Sequence, residues 1–190
     1  MSNRPGADKK TLRRQILAKR EALSKEERER GALLLTERIC GHQWFYPADT
    51  ILGFVSYGSE IDTRDILQEA LARGKKVYVP KVTGEDIVFY RIRSLEELTE
   101  GYKGIPEPLG NTECFEYQPG HVNQVLMLMP GVVFDLQRSR IGYGKGFYDR
   151  YLMDKAELQL RTIGVGYKCQ LMEEIPAQPW DVKPYQVICV

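Results

Sequence analysis

The segment from residue 50 to residue 80 constrains the fold of this chain more than any other part of the sequence. It begins with TILGFVSY (residues 50–57), a short run rich in β-branched and aromatic residues, and this composition is typical of a buried strand. Thr63 is a candidate N-cap for the helix RDILQEALAR, and residues 76–79 predict a second strand that Pro80 ends. Strand, helix and strand over this length predict a right-handed crossover between two parallel strands.

The N-terminal part of the chain has the pattern of a helical pair. Apolar residues recur at helical spacing among basic residues over residues 9–23, which predicts an amphipathic helix. Ser24 followed by Glu27 matches a capping box, and it predicts a second helix that extends towards Gly41.

The rest of the chain continues the alternation of strands and helices. The segment GYKGIPEPLGN is dense in glycine and proline and is predicted to be loop. The alternation predicts an α/β fold, with a mostly parallel sheet and helices on both of its faces. The remaining predicted elements are a strand over 87–92, a short helix from Ser94 to near Gly101, a strand in QVLMLMPG, a helix from Phe147, a strand over 161–165 and an edge strand over 187–190.

Composition limits what such a fold can do. A chain of 190 residues is expected to be one domain, here residues 1–190, because a domain has about 150 residues. Hydrophobic residues make up 43% and charged residues 28%, which is typical of a globular protein. With 27 Lys and Arg against 26 Asp and Glu, the chain has no general positive field that would hold nucleic acid, so an anion must be bound locally.

Cysteine usage and the N-terminal sequence predict a cytoplasmic protein. The four cysteines form no CxxC pair, so neither a zinc site nor a disulfide framework is predicted and the thiols are expected to be reduced. The first residues, MSNRPGADKK, lack an apolar segment, and the longest apolar run, residues 125–133, is far shorter than the ~20 residues that cross a bilayer. No membrane partner is expected.

The most distinctive motif is RIGYGKGFYDRYL, in which Gly142, Gly144 and Gly146 alternate among cationic residues. Glycine lets the backbone approach a ligand closely and expose successive N–H groups, and the start of the following helix adds partial positive charge. Phosphate is the natural ligand of such a segment. The motif is neither a Walker A loop nor a dinucleotide fingerprint, because no Ser or Thr follows Lys145 and Phe147 follows Gly146. Glycine spacing alone also fits a flexible hairpin tip.

Carboxylates at predicted loop ends are candidates for binding a metal or a substrate. Asp149, just inside a helix start, could reach a cation shared with phosphate oxygens, although a first-turn acid also stabilises a helix by itself. Glu60 and Asp62 both follow the strand over 50–57. We favour Glu60 as an acceptor for an amino-substituted heterocycle, with an ordinary loop acid as the alternative, because Asp62 is close enough to Thr63 to serve helix entry.

The first predicted helix carries a basic cluster, in which Lys9 and Arg13 share one helical face. A solvated face is the simplest interpretation of such a cluster, and the glutamates that follow dilute it as a nucleic-acid site. Asp181 lies in the turn-rich segment IPAQPWDVKP, where an aspartate can cap a turn. The cluster consists of Lys9, Lys10, Arg13 and Arg14.

The motifs, in this order, resemble those of the 5-formyltetrahydrofolate cyclo-ligase family, also called 5,10-methenyltetrahydrofolate synthetases. The resemblance extends over nearly the whole chain, through KKTLRRQILAKR, GSEIDT, GIPEP, MPGVVFD, RIGYGKGFYDRYL and the late IP and WDV. It implies a sugar-isomerase-like three-layer α/β fold. It also implies ATP-dependent closure of 5-formyltetrahydrofolate to 5,10-methenyltetrahydrofolate through a phosphorylated formyl group, with Mg²⁺ as cofactor and ATP as co-substrate. The chain departs from the family at Phe147, where tyrosine is frequent, and after Asp181, where an acid is frequent.

The same resemblance implies roles for particular residues. Lys145 and Arg140 would be catalytic, with Lys145 nearest the transferred phosphoryl group, and Asp149 and Asp181 would hold magnesium. ATP would contact Lys9, Lys10, Arg13, Arg140, Ile141, Gly142, Tyr143, Gly144, Lys145, Gly146, Phe147 and Tyr148. The folate would contact Val55, Tyr57, Glu60, Tyr143, Gly144, Lys145, Gly146 and Phe147.

Two other interpretations of these residues stay open from the sequence. A phosphosugar isomerase on the same fold would bind phosphate with the glycine motif and use Glu60 as a base, without ATP. A nucleotide-sensing or RNA-binding module would use the basic helix and catalyse nothing. Under the favoured interpretation the partners are small molecules, no nucleic acid or membrane is bound, and the chain acts as a monomer.

Overall fold

The computed structural model describes residues 8–190 of the chain. The α-helices of these residues are α1 (Lys9–Glu21), α2 (Lys25–Cys40), α3 (Arg64–Ala72), α4 (Phe147–Leu152) and α5 (Ala156–Gln159). The strands are β1 (Thr50–Leu52), β2 (Lys76–Thr83), β3 (Asp86–Ile92), β4 (Thr99–Glu100), β5 (Pro106–Glu107), β6 (Val125–Met129), β7 (Val133–Asp135), β8 (Arg140–Ile141), β9 (Thr162–Gly166), β10 (Leu171–Met172) and β11 (Gln186–Cys189). Among the described residues, α-helices separate β1 from β2 and β8 from β9, while β2 to β8 follow one another without an α-helix between them.

A six-stranded sheet, in the order β11-β9-β6-β1-β2-β3, forms the central layer. All neighbouring strands in it are parallel except the pair β2 and β3, which is antiparallel. The predicted crossover from β1 through α3 to β2 is confirmed by the parallel pairing of Ile51 with Val77. A smaller sheet, β10-β7-β8, and a two-stranded sheet of β4 and β5 complete the strand pairing of the described residues.

Helices cover both faces of the central sheet. Successive residues of a strand point to opposite faces, and Ile51 and Leu52 follow this rule. Ile51 packs in one buried cluster with Leu35 of α2 and Leu67 of α3, whereas Leu52 packs in another with Leu152 of α4. The prediction of a mostly parallel sheet between two helical layers is confirmed.

The N-terminal helical pair is confirmed, and it has the predicted cap. Ser24 and Glu27 form a capping box at the start of α2, with the Ser24 hydroxyl accepting the Glu27 N–H at 3.1 Å. Leu12 and Ile16 bury the apolar side of α1 in a cluster with residues of β7 and β8. This packing places α1 beside the segment that follows β8. No helix among residues 8–190 has the length and apolar composition that a bilayer crossing requires.

The first strand is shorter than the prediction of residues 50–57. The Gly53 N–H still donates to the Tyr78 carbonyl at 2.9 Å, and the chain then leaves the sheet. A Cβ on Gly53 would lie only 2.4 Å from Leu67 Cδ2, so glycine allows this close approach to α3. Residues 54–56 are buried although they lie outside the strand. Their apolar composition fits this burial, and it resembles that of a strand.

Thr63 lies at the predicted N-cap position of α3, but the predicted capping hydrogen bond from its side chain is not formed. Thr63 precedes α3, but its hydroxyl donates to the Phe54 carbonyl at 2.6 Å and makes no capping bond. Asp62 instead accepts the Arg64 N–H at 2.9 Å, which confirms its role in helix entry. The Thr63 bond holds the end of the irregular segment after β1 against the start of α3.

Two predictions around prolines are also wrong. Pro80 does not end β2, which continues to Thr83. Beyond Tyr78 this strand pairs only with β3, so a proline, which has no N–H, loses no hydrogen bond on the unpaired side of the strand. The segment GYKGIPEPLGN is not loop throughout. Its turn is closed by the Gly101 N–H donating to the Ile105 carbonyl at 2.9 Å, which pairs β5 with β4.

Candidate active site

A cleft of about 1360 Å³ opens at the carboxyl edge of the central sheet. Its walls include Val55 and Glu60, which follow β1, Pro80 in the second half of β2, and Pro130, which follows β6. Parallel α/β sheets bind ligands at this edge. The cleft is larger than the ~300–1,000 Å³ of typical small-molecule sites, so it has room for two substrates side by side.

Residues 142–146, hereafter the glycine loop, connect β8 to α4 and form one wall of the cleft. Gly144 has a φ of 94° and Gly146, the N-cap of α4, a φ of 67°. Residues with a Cβ adopt such backbone angles at a cost, so glycine is required for this shape. Antiparallel pairing of β8 with β7 anchors the start of the loop, a short hairpin that the sequence patterns did not predict.

Helix α1 lies against the glycine loop and joins it to the C-terminal part of the chain. Arg13 Nε donates to the Gly142 carbonyl at 2.8 Å, and the Lys9 ammonium pairs with the Asp181 carboxylate. Both basic side chains line the cleft, whereas Lys10 is exposed and lies outside the residues that line it. Every other residue assigned to the site from the sequence lines this one cleft.

Lys145 presents its charge to the cleft from the middle of the glycine loop. Its side chain is exposed, and among residues 8–190 its ammonium makes no hydrogen bond or ion pair. The Lys145 carbonyl accepts a hydrogen bond from Arg150 Nη1 at 2.8 Å, and the same guanidinium pairs with Asp86 at the start of β3. The loop is therefore held from both sides while its lysine remains available to an anion.

Arg140 and Asp149 form a largely buried ion pair at the base of the loop. Arg140 NH2 lies 3.0 Å from Asp149 Oδ1, and the Arg140 side chain is 4% exposed. Arg140 NH1 donates to the Pro130 carbonyl at 3.3 Å, and its Nε is buried without a partner in the described residues. Arg140 thus orients Asp149 and places a positive charge beneath the cleft.

Asp149 and Asp181, the two carboxylates assigned to magnesium, both face the cleft. Oδ1 of Asp149 also accepts the Val182 N–H at 3.0 Å, and Oδ2 of Asp181 accepts the Gln178 N–H at 2.6 Å. In the described part of the chain, the other oxygen of each carboxylate accepts no hydrogen bond. No group of three or more His, Cys, Asp or Glu side chains among residues 8–190 could enclose a metal. Two carboxylates fit Mg²⁺ shared with phosphates, because that ion is usually held by one or two carboxylates together with phosphate oxygens.

Glu60 is the acid of the loop after β1 that faces the cleft, and Asp62 is not among the lining residues. One Glu60 oxygen accepts the Tyr57 N–H at 2.9 Å. Burial raises the pKa of the Glu60 carboxyl, and hydrogen bonds from Tyr57 and Tyr143 and the charge of Arg20 act in the opposite direction. Burial removes water from the Glu60 carboxyl, and the N–H donors of a neutral heterocycle could supply the hydrogen bonds that this water would otherwise make.

Aromatic and apolar side chains form the remaining walls. Tyr148 lines the cleft, and its buried hydroxyl has no hydrogen-bond partner in the described residues. Burial raises the pKa of Tyr148, and the nearby Glu60 acts in the same direction, so the hydroxyl remains a donor. The flat aromatic and apolar residues suit a ring system; they are Tyr57, Pro80, Val82, Ile87, Tyr102, Phe147 and Trp180.

Several residues in the cleft or bonded to its lining carry little or no signal in the sequence that would have identified them. Arg20 belongs to the basic helix but is 2% exposed and bonded to Tyr143, a residue far along the chain. Glu107 is 5% exposed, lines the cleft and accepts the Val82 N–H at 3.2 Å. Trp180 lines the cleft and is 71% exposed, and its only sequence signal is its position directly before Asp181.

Comparisons with known proteins agree on one group. A family model described as the 5-formyltetrahydrofolate cyclo-ligase family matches residues 5–190. A 5-formyltetrahydrofolate cyclo-ligase from Mus musculus is 30% identical over 188 residues, which are 95% of this chain and 92% of the relative. The enzyme of that name from Escherichia coli (strain K12) is 28% identical over 170 residues, 88% of this chain and 92% of the relative.

Solved structures give the same result at the level of the backbone. The NMR structure of the 5,10-methenyltetrahydrofolate synthetase from Aquifex aeolicus matches with a TM-score of 0.77 and 32% identity, over 93% of this chain and 86% of that one. The corresponding synthetase from Mycoplasma pneumoniae matches with a TM-score of 0.74 and 29% identity, over 96% and 98% of the two chains. The likeness to sugar isomerases stays a prediction.

Proposed function

Because the chain belongs to the 5-formyltetrahydrofolate cyclo-ligase family, we propose that its cleft binds ATP and 5-formyltetrahydrofolate side by side and converts the folate to 5,10-methenyltetrahydrofolate. The chain is thus an ATP-dependent ligase of folate metabolism. The observation that supports this use of the cleft is the meeting of a cationic glycine loop, two carboxylates and Glu60 in one cavity.

The first step activates a poor electrophile. The formyl carbon is an amide carbon, and its oxygen is a poor leaving group. In the proposed step this oxygen attacks the γ-phosphorus of ATP, the bond from that phosphorus to the β–γ bridging oxygen breaks, and ADP leaves. Phosphoryl transfer depends mainly on positioning and on neutralising charge, so the step needs no protein nucleophile.

The second step closes the ring. N10 of the folate attacks the activated carbon, the carbon–oxygen bond breaks, and the former formyl oxygen departs in phosphate. The N10 proton also leaves, and the inorganic phosphate product takes it up. The products are ADP, phosphate and the 5,10-methenyl cation, so atoms and charge balance.

Lys145 is the proposed catalytic cation. Its free ammonium on the glycine loop would lie nearest the transferred phosphoryl group, where a fixed positive charge stabilises the negative charge spread over the equatorial oxygens. Arg140 is proposed to contribute its charge from below and to hold Asp149 in place through their ion pair.

The remaining phosphate contacts would come from α1 and the loop amides. Lys9 and Arg13 already reach the loop side of the cleft. The other proposed contacts of ATP are Lys10, Ile141, Gly142, Tyr143, Gly144, Gly146, Phe147 and Tyr148.

Asp149 and Asp181 are proposed to hold Mg²⁺ together with phosphate oxygens of ATP. Bound there, the ion would neutralise charge on the transferred phosphoryl group. In this arrangement the free oxygens of the two carboxylates would face the metal, and the Lys9 ammonium would give up part of its contact with Asp181 to phosphate.

Folate is proposed to occupy the other half of the cleft. Glu60 would accept hydrogen bonds from its amino-substituted ring, and Val55 and Tyr57 would pack against it. The glycine-loop residues 143–147 would lie between folate and ATP. We further propose that the chain works as a cytoplasmic monomer on small molecules only; light scattering during gel filtration tests the oligomeric state.

The near-ultraviolet absorption of 5,10-methenyltetrahydrofolate tests the proposal. Protein mixed with 5-formyltetrahydrofolate and Mg-ATP is expected to generate this band at a rate proportional to protein concentration, and mixtures without ATP are expected to stay flat. A band that never forms, or that forms equally without ATP, would refute the proposal. Phosphosugar isomerisation without ATP, or salt-sensitive RNA binding without turnover, would support the alternatives instead.

A further inference from the structure

Arg20, which has no role in the reaction described above, is a buried charge between the loop that follows β1 and the glycine loop. It lies in the last turn of α1 and is 2% exposed. Arginine is rarely buried so completely unless its guanidinium is bonded. Among residues 8–190 it forms no ion pair within the usual distance, and its hydrogen bonds instead go to two neutral hydroxyl groups.

Each hydroxyl belongs to a different loop of the site. Arg20 Nε donates to Ser59 Oγ at 3.0 Å, next to Glu60 on the proposed folate side. Arg20 Nη2 donates to the Tyr143 hydroxyl at 2.7 Å, on the glycine loop that is proposed to bind the phosphates of ATP. The guanidinium carbon also lies 5.7 Å from the centre of the Tyr143 ring, within the range of a cation–π contact.

Glu60 and Tyr143, one from each loop, both line the cleft. Burial raises the pKa of Tyr143, and the negative charge of Glu60 acts in the same direction. Burial raises the pKa of the Glu60 carboxyl, and the Tyr143 hydroxyl and the charge of Arg20 act in the opposite direction. Ser59 and Tyr143 therefore bind a single guanidinium, and Glu60 directly follows Ser59 in the chain.

We propose that Arg20 is a positioning residue that makes binding in the nucleotide half and binding in the folate half of the cleft depend on each other. This inference rests on the proposed function. A guanidinium is planar, with its donors in a fixed fork, so the positions of Ser59 and Tyr143 relative to one another are set by a rigid group. Ordering either loop around its substrate then orders the partner loop through Arg20, and the second substrate binds to a loop already in place.

Steady-state kinetics at crossed substrate concentrations test this coupling. The KM for ATP is measured at several fixed concentrations of 5-formyltetrahydrofolate, and the reverse experiment gives the same coupling factor by linkage if KM reports binding. In the parent protein the KM for each substrate is expected to fall about tenfold as the other approaches saturation. In Arg20→Met the factor is expected to be close to one, with kcat at saturation of both substrates changed much less than either KM.

Two further variants keep the test decisive. Lys19→Met removes the neighbouring exposed charge of α1 and is expected to retain the parent coupling factor. Tyr143→Phe keeps Arg20 but removes the hydroxyl it binds, and it is expected to lose the coupling even if Arg20→Met does not fold.

The outcomes separate this inference from the proposed function. Absence of product in the parent protein would refute the function itself. Product formation with a coupling factor of one in the parent, or with an unchanged factor in Arg20→Met or Tyr143→Phe, would overturn the role of Arg20 and leave the function standing.

Discussion

At the scale of single residues, the ammonium of Lys145 is the charge most directly available to a transferred phosphoryl group. It lines the cleft and has no partner among residues 8–190. Lys145→Ala is expected to lower kcat about a hundredfold, because one charge contact made in the transition state is worth about 3 kcal/mol. The rate of appearance of the methenyl band at saturating substrates measures this effect. Lys25→Ala, at a side chain 82% exposed on α2, is the matched control, and an unchanged kcat in Lys145→Ala would remove the lysine from the mechanism.

A substitution of Asp149 can show whether this residue binds the metal or only stabilises its helix. Asp149→Asn keeps the shape of the side chain but removes its charge, so the Mg²⁺ concentration for half-maximal rate is expected to rise about tenfold or more. A magnesium titration of the rate measures this shift. The same substitution breaks the ion pair with Arg140, and the thermal midpoint is also expected to fall. A lower midpoint with an unaltered magnesium titration would show that the carboxylate has only a structural role.

At the scale of elements, the glycine loop combines backbone angles that favour glycine with a proposed role in ATP binding. Two glycine substitutions can separate the effect on stability from the effect on binding. Gly144→Ala is expected to cost about 1 kcal/mol of stability, because φ is 94° there, and also to raise the KM for ATP, since the added Cβ would lie 3.4 Å from Arg13 NH2. Gly74→Ala, at a φ of 73° with nothing within 4 Å of the added Cβ, is expected to cost similar stability without changing the KM. Equal KM values in the two variants would contradict a role of the loop in ATP binding.

Elements whose signals are local were predictable, and elements that depend on distant partners were not. The capping box of α2 needs only Ser24 and Glu27, and the structure confirms it. Strand β1 is shorter than predicted, and Gly53, which follows it, packs closely against Leu67 of α3. The site followed the same rule. The glycine motif identified its own segment, whereas the Arg20 to Tyr143 bond joins residues 123 positions apart.

At the scale of the whole molecule, buried tyrosines are expected to make stability fall at alkaline pH. Burial raises the pKa of Tyr78 from 10.0 to about 12, and its hydrogen bond to Glu113 acts in the same direction. A tyrosine whose pKa is raised on folding contributes stability that is fully present below the unfolded pKa and is lost as pH rises through the folded pKa. Tyr143, Tyr148 and Tyr151 shift in the same direction, with burial as the main cause.

Urea denaturation measured from pH ~8 to ~11 checks this expectation. The free energy of unfolding is expected to decline above pH 10, the usual tyrosine pKa, and to decline less steeply in Tyr78→Phe. Tyr46→Phe, at a side chain 82% exposed, is the control and is expected to follow the parent curve. A flat free energy across this range would contradict the assigned burial of these hydroxyls.

The fate of one oxygen atom tests the central account most directly. 5-Formyltetrahydrofolate labelled with ¹⁸O in its formyl group is incubated with the protein and Mg-ATP in unlabelled water, and the inorganic phosphate is analysed by mass spectrometry. If the formyl oxygen attacks the γ-phosphoryl group in this cleft, one ¹⁸O appears in phosphate for each methenyl product formed. Phosphate that forms without the label, or ring closure that releases the label to water, would contradict the account.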